Sequence, residues 1–169
     1  VRRADPTIAP ETTIALAFAR QDYPAAVVQD ALERAVTVAA SYGVALLQRK
    51  LPISLVTNGT DPQTGTSGVV LGFGKGHGHQ HALLELLGRL SAGQAPDLFT
   101  LLHAQPLPWS GTLILILSDL TLDRLPHIIA LRRRGQQMLL LLVEGTPAGL
   151  ALAQQQQLSA YTVDRRWLP

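Results

Sequence analysis

The chemically suggestive residues are densest in Gly72-Phe73-Gly74-Lys75-Gly76-His77-Gly78-His79-Gln80-His81. Glycines ahead of a helix expose main-chain N–H groups that can cradle an anion, and Lys75 would add positive charge. The spacing fails both phosphate-loop patterns. A dinucleotide fingerprint needs a third glycine where His77, His79 or His81 stands, and a Walker loop needs Ser or Thr where Gly76 follows Lys75. The alternating His77, His79 and His81 offer imidazole nitrogens to a transition metal, but no Cys or carboxylate joins the run. A loop that bends and then opens a helix is the plainer reading.

Elsewhere the chemistry thins out. Thiol catalysis, disulfides and cysteine zinc sites are excluded because the chain has no Cys, and no serine sits in the Gly-x-Ser-x-Gly elbow that presents a nucleophile after a strand. Asp22 and Asp119 are the best candidates for paired carboxylates, since each follows a predicted strand. His103 and His127 read as lone histidines of a helix or surface. Arg132, Arg133 and Arg134 fall at a predicted helix C-terminus, where positive charge offsets the helix dipole. The other cations are scattered along a chain of net charge +2, so no footprint for nucleic acid is expected.

These residues need elements to hold them. Thr12 to Ala19 is an apolar run of strand length, and Asp22 and Pro24 supply a helix start. Val28, Leu32, Ala35, Ala39, Tyr42 and Leu46 then recur on one helical face, with Asp30, Glu33, Arg34, Thr37, Ser41 and Gln48 assigned to the solvent face. Ile53 to Thr57 and Val69 to Phe73 read as a hairpin around an exposed loop, residues 58–65. A helix with Leu83, Leu84, Leu87 and Leu90 inward follows, then a short one near Leu98 to His103. Gly111 to Leu117 is a buried strand, and a helix with Pro126 in its first turn closes at Gly135. Met138 to Val143, Pro147 to Gln157 and Ala160 to Val163 complete the order as strand, helix and strand. Alternating helices with strands apolar on both faces predict a three-layer α/β/α domain, Rossmann-like, around a mostly parallel sheet. Ligands of such sheets sit outside the carboxyl ends of the strands, which selects Ala19 to Asp22, Gly72 to His81 and Ser118 to Thr121.

Length and composition agree with that architecture. The 169 residues fit one domain, 47% of them hydrophobic and 15% charged, which is too apolar for a disordered chain. The longest apolar runs fall far short of the roughly 20 residues that span a bilayer. Val1-Arg2-Arg3 carries neither an initiator Met nor a signal-peptide pattern, and residues 1–169 read as a single domain excised from a longer protein.

Three strings, Glu33 to Ser41 (ERAVTVAAS), Pro52 to Gly59 (PISLVTNG) and Ile114 to Asp119 (ILILSD), together resemble the family called domain of unknown function 58. The resemblance covers Glu11 to Val163. It implies a von Willebrand A-like fold, a non-catalytic protein-interaction or scaffold role, and partnership with a MoxR-type AAA+ ATPase. A cytoplasmic location is expected, compatible with the absence of Cys, and fuller family members imply that any membrane tether lies in a preceding region outside this chain. A von Willebrand A metal site combines Asp-x-Ser-x-Ser after the first strand, a loop Thr and a later Asp. Only Asp119 matches, for the first strand exits as Ala17-Phe18-Ala19-Arg20-Gln21 and the loop expected to supply Thr reads Gly74-Lys75-Gly76-His77. Alkyl groups and cations do not hold a hard divalent ion. The expectation is a degenerate site without metal or cofactor, its edge (Arg20, Asp22, Lys75, His77, Ser118, Asp119) left to a protein partner. The competing expectation is an enzyme or nucleotide-binding domain using Gly72 to Gly78 with Ser118 and Asp119.

Overall fold

A computed structural model describes residues 11–164; the Val1-Arg2-Arg3 start lies outside them. Six strands form one sheet in the order β3-β2-β1-β4-β5-β6. The strands are β1 (Thr12–Leu16), β2 (Ile53–Asp61), β3 (Thr66–Gly74), β4 (Thr112–Leu117), β5 (Gln137–Leu142) and β6 (Ser159–Thr162). All neighbours run parallel except β3, which pairs antiparallel with β2. The exception follows from the short connection between β2 and β3, which cannot hold the crossover that parallel strands require.

The helices are α1 (Val28–Gln48), α2 (Gly76–Arg89), α3 (Leu98–Ala104), α4 (Leu125–Arg133) and α5 (Pro147–Gln155). Because strand side chains alternate, β1 and the residue after it feed two cores: Ile14 and Leu16 pack with α1 and α2, while Ala15 and Ala17 pack with α3, α4 and α5. Ile14, Leu115, Ile116 and Leu140 are wholly buried, and each such side chain contributes about 1.5–3 kcal/mol. Gly135, with φ 87°, ends α4 in the left-handed conformation that glycine adopts at least cost.

Three assignments change. The exposed loop is shorter than residues 58–65: β2 continues to Asp61, with Asn58 free of solvent exposure, and only the turn 62–65 is exposed. Leu84 points outward at 40% exposure and Leu86 takes the inward place. Arg34, assigned to the solvent face of α1, is 5% exposed, because the helix lies close over the ends of β5 and β6.

The far end of β2 is pinned by Arg89, whose guanidinium donates to both carboxylate oxygens of Asp61 at 3.0 and 3.1 Å. Those bonds hold the Asp61 carboxyl below the usual carboxylate range, against the opposing effect of burial. With a lowered native pKa, the pair stabilises the fold above the unfolded value of about 3.9, and that contribution is lost as pH falls through the native value. Thermal melts of Arg89→Gln and the parent chain should therefore differ near neutrality and converge in acid. A constant difference down to pH 2, about two units below the unfolded pKa, would assign the effect to packing instead.

Candidate functional site

Strand order reverses between β1 and β4, so the carboxyl ends of these strands flank the crevice where open α/β sheets take ligands. Four of the six predicted residues lie at this carboxyl edge. Arg20 and Asp22 occupy a 3₁₀ turn, Arg20–Asp22, after β1, and Ser118 and Asp119 follow β4.

Lys75 and His77 do not. Gly74 pairs with Ile53, the first residue of β2, so the antiparallel β3 delivers both residues to the amino edge of the parallel strands. A six-residue strand is about 20 Å long. That length separates Gly72 to Gly78 from Ser118 and Asp119, so the proposed nucleotide site cannot be assembled from both. Nor is the segment a loop, since α2 starts at Gly76 and contains all three histidines. The ring of His79 contacts the carbonyl of Ile53 at 2.9 Å, while His81 reaches Glu85 at 3.0 Å. The third segment returning to the carboxyl edge is 90–97, not 74–77, and its Gly93 carbonyl accepts from the Arg20 amide at 3.2 Å.

Asn58 is the hub of the edge. Its Oδ1 accepts from the Phe18 amide at 2.7 Å, and its Nδ2 donates to Asp22 Oδ2 at 2.9 Å and to the Pro96 carbonyl at 3.1 Å. The same Asp22 oxygen accepts from the Ala19 amide at 3.1 Å. Tyr23, 5% exposed, donates to the Ala17 carbonyl at 2.7 Å. Burial, reinforced by the neighbouring Asp22 charge, pushes its phenol far above the ordinary range, so it stays a neutral donor.

Asp119 belongs to a separate network. Its Oδ1 accepts from the amides of Leu120 (2.9 Å) and Thr146 (3.3 Å), and its Oδ2 accepts from the Thr146 hydroxyl at 2.7 Å. Thr146 in turn caps α5 by accepting from the Gly149 amide at 3.1 Å. A Cβ at Gly149 would collide with the Asp119 carboxylate, so any larger residue there would push that carboxylate from its place against Thr146. Asp22 and Asp119 thus brace different connections rather than forming a carboxylate pair. Arg124 supplies the positive charge expected of Lys75: one guanidinium nitrogen donates to Ser118 Oγ at 3.1 Å and to the Asp119 carbonyl at 2.6 Å.

Sequence reasoning missed Asn58, Arg124 and the clamp at the β5–β6 end. There Arg34 donates to the carbonyls of Val143 (2.7 Å) and Val163 (3.0 Å), pairs with Glu144, and lies 3.3 Å from Asp30. The signal available was an Arg four residues after Asp30, which reads equally as a surface pair. His103 and His127 are not lone either; their rings meet across α3 and α4 with centroids 5.8 Å apart. Burial, and then the neighbouring imidazole, lower the His103 pKa.

Two grooves flank the edge. One, of about 440 Å³, runs between α1 and α2 past Phe18, Arg20, Leu32 and Leu90. The other, of about 570 Å³, follows α5 past Asp119, Leu120, Leu122 and Leu152. Leu122 is 75% exposed there.

No protein-family model matches the chain, and no curated protein matches it. Solved structures do. The pilus adhesin SpaC from Lactobacillus rhamnosus GG in its open conformation superposes with a TM-score of 0.61 at 10% identity, over 93% of this chain and 28% of the adhesin. A second structure of that adhesin gives 0.55 at 11% identity, over 93% and 29%. A von Willebrand factor type A protein from Catenulispora acidiphila gives 0.55 at 14%, over 92% and 39%. The chain therefore spans well under half the length of each of these proteins. At such identities the likeness establishes architecture, and the architecture of this chain is that of a von Willebrand A domain.

Proposed function

We propose that the chain is a non-catalytic interaction module that receives a protein partner at its carboxyl edge without a metal ion. The supporting observation is that the polar groups there are already committed to one another: Asp22 to Ala19 and Asn58, Asp119 to Thr146, and Ser118 to Arg124. What the edge still offers is surface, namely Arg20, the exposed Leu122 and the two flanking grooves. Resemblance to the domain of unknown function 58 family points to a MoxR-type AAA+ ATPase as the partner, and a chain without Cys is compatible with a reducing, cytoplasmic setting.

The test is capture of candidate ATPases by the protein in apo, ADP and ATP-analogue states. Leu122→Glu and Arg20→Glu should each weaken capture about tenfold, the loss typical of truncating a contributing interface residue, without lowering Tm. No capture in any nucleotide state would remove the ATPase assignment. A melting shift of the isolated chain on adding nucleotide or divalent cation would instead revive the enzymatic alternative, because a ligand selective for the native state must stabilise it.

A further inference from the structure

Cations from three separate stretches of the sequence converge at the amino edge of the sheet, opposite the proposed partner site. Arg49 and Lys50 precede β2, Lys75 follows β3, and Arg132, Arg133 and Arg134 precede β5. None of the six forms an ion pair with a carboxylate among the described residues. Arg49, Lys50, Lys75 and Arg133 are exposed. Glu11 is the single described carboxylate at this edge, whereas Asp22, Asp61, Asp97, Asp119, Glu144 and Asp164 all lie at the opposite one. The domain is electrically polar along its strands.

Within the basic edge stands Trp109, in the turn that enters β4. It is 78% exposed, the most exposed large hydrophobic side chain among the described residues. Its indole is backed by Gly135, where an added Cβ would lie 3.2 Å from the ring. Leaving so large an apolar ring in water is unfavourable unless something covers it. From β3 to β5 the edge crosses four strand spacings, about 20 Å. A line of cations of that length around one amphipathic indole complements a planar anionic interface, where Trp sits at headgroup depth and Lys and Arg meet phosphates.

We propose that the amino edge is a peripheral docking surface for anionic phospholipid, with Trp109 as its anchor and Lys50, Lys75 and Arg133 as its headgroup contacts. Docked this way, the domain turns its carboxyl edge away from the bilayer. No helix among the described residues is long and apolar enough to cross a membrane, so the contact is peripheral.

The test uses the full 169-residue chain with Trp167→Phe, which leaves Trp109 as the sole indole. Vesicles of phosphatidylcholine with about 30% phosphatidylglycerol should sediment the chain and blue-shift its emission at low salt, whereas pure phosphatidylcholine should not. Raising salt to about 0.5 M should weaken binding at least roughly tenfold. Lys50→Gln/Lys75→Gln should weaken it similarly. Gln63→Glu/Gln94→Glu, the same charge change made in the hairpin turn and in segment 90–97, should weaken it far less. Trp109→Ala, checked for folding by circular dichroism, should reduce affinity even where charge is unchanged.

No sedimentation with anionic vesicles at low salt overturns the proposal, as does equal loss in the two double variants. Tighter binding to a single-stranded oligonucleotide, unaffected by Trp109→Ala, would reassign the edge to nucleic acid. The ATPase capture experiment is indifferent to all these outcomes, because it reads the opposite edge.

Discussion

Arg34→Leu is expected to destabilise the fold by about 3 kcal/mol, the lower end for breaking a buried ion pair. For a domain of this size the loss corresponds to a fall in Tm of roughly 10 °C. The loss comes from stranded acceptors. Leucine fills much of the same space but leaves the carbonyls of Val143 and Val163 without their donor and Glu144 without its cation. Glu144 is 27% exposed in its side chain and can turn towards water; the two carbonyls are fixed in backbone and cannot. Arg34→Lys keeps the charge, yet one ammonium group cannot reproduce a fork that reaches three acceptors. Its recovery should be less than half. Urea melts of both variants measure this, and hydrogen exchange adds a local readout. Since β6 is tied to the sheet only through β5, its amides should lose protection first. Full protection in β6 with a Tm within about 2 °C of the parent, less than 1 kcal/mol, would show that the clamp contributes little.

Asn58→Asp should cost a comparable amount, about 3 kcal/mol at neutral pH, although it changes a single group of atoms. The carboxylate can still accept from the Phe18 amide but cannot donate to Asp22 or to the Pro96 carbonyl, and it places like charges 2.9 Å apart. Burial and the neighbouring carboxylate would raise the native pKa of the introduced group. For an acid with a raised native pKa, the penalty is absent below the unfolded value of about 3.9 and grows as pH rises above it. The difference from the parent chain should therefore be small near pH 4 and large at pH 7. Asn58→Ala, by contrast, loses all three hydrogen bonds, the one from the Phe18 amide included, but adds no titrating group, so its deficit should stay flat over that range. Identical pH profiles for the two variants would remove Asn58 from its place as the hub of the edge.

These residues also mark where reading the sequence stops. Hydrophobic periodicity located every strand and helix, because the alternation of two in strands and the spacing of three and four in helices are imposed by local geometry. Pro126 and Gly135 likewise announced the limits of α4, since each acts through its own backbone. Leu84 and Leu86 were misjudged because a helix of mixed composition presents more than one plausible apolar stripe. Arg34 and Asn58 were misplaced for a different reason. A polar residue is buried only where distant backbone groups meet it, and those groups lie 109 and 129 residues from Arg34 and 40 residues from Asn58.

The sequence alone determined an α/β/α domain with a mostly parallel sheet, and it identified the exits of β1 and β4 as one edge. The tertiary structure decided which loops share that edge. One antiparallel strand inverts the chain, so Lys75 and His77 join Arg49, Trp109 and Arg134 at the amino edge instead of Asp22 and Asp119 at the carboxyl edge. Strand direction depends on whether a connection is a turn or a crossover, and charge clustering depends on direction. Composition could count the cations; only the sheet could bring them together.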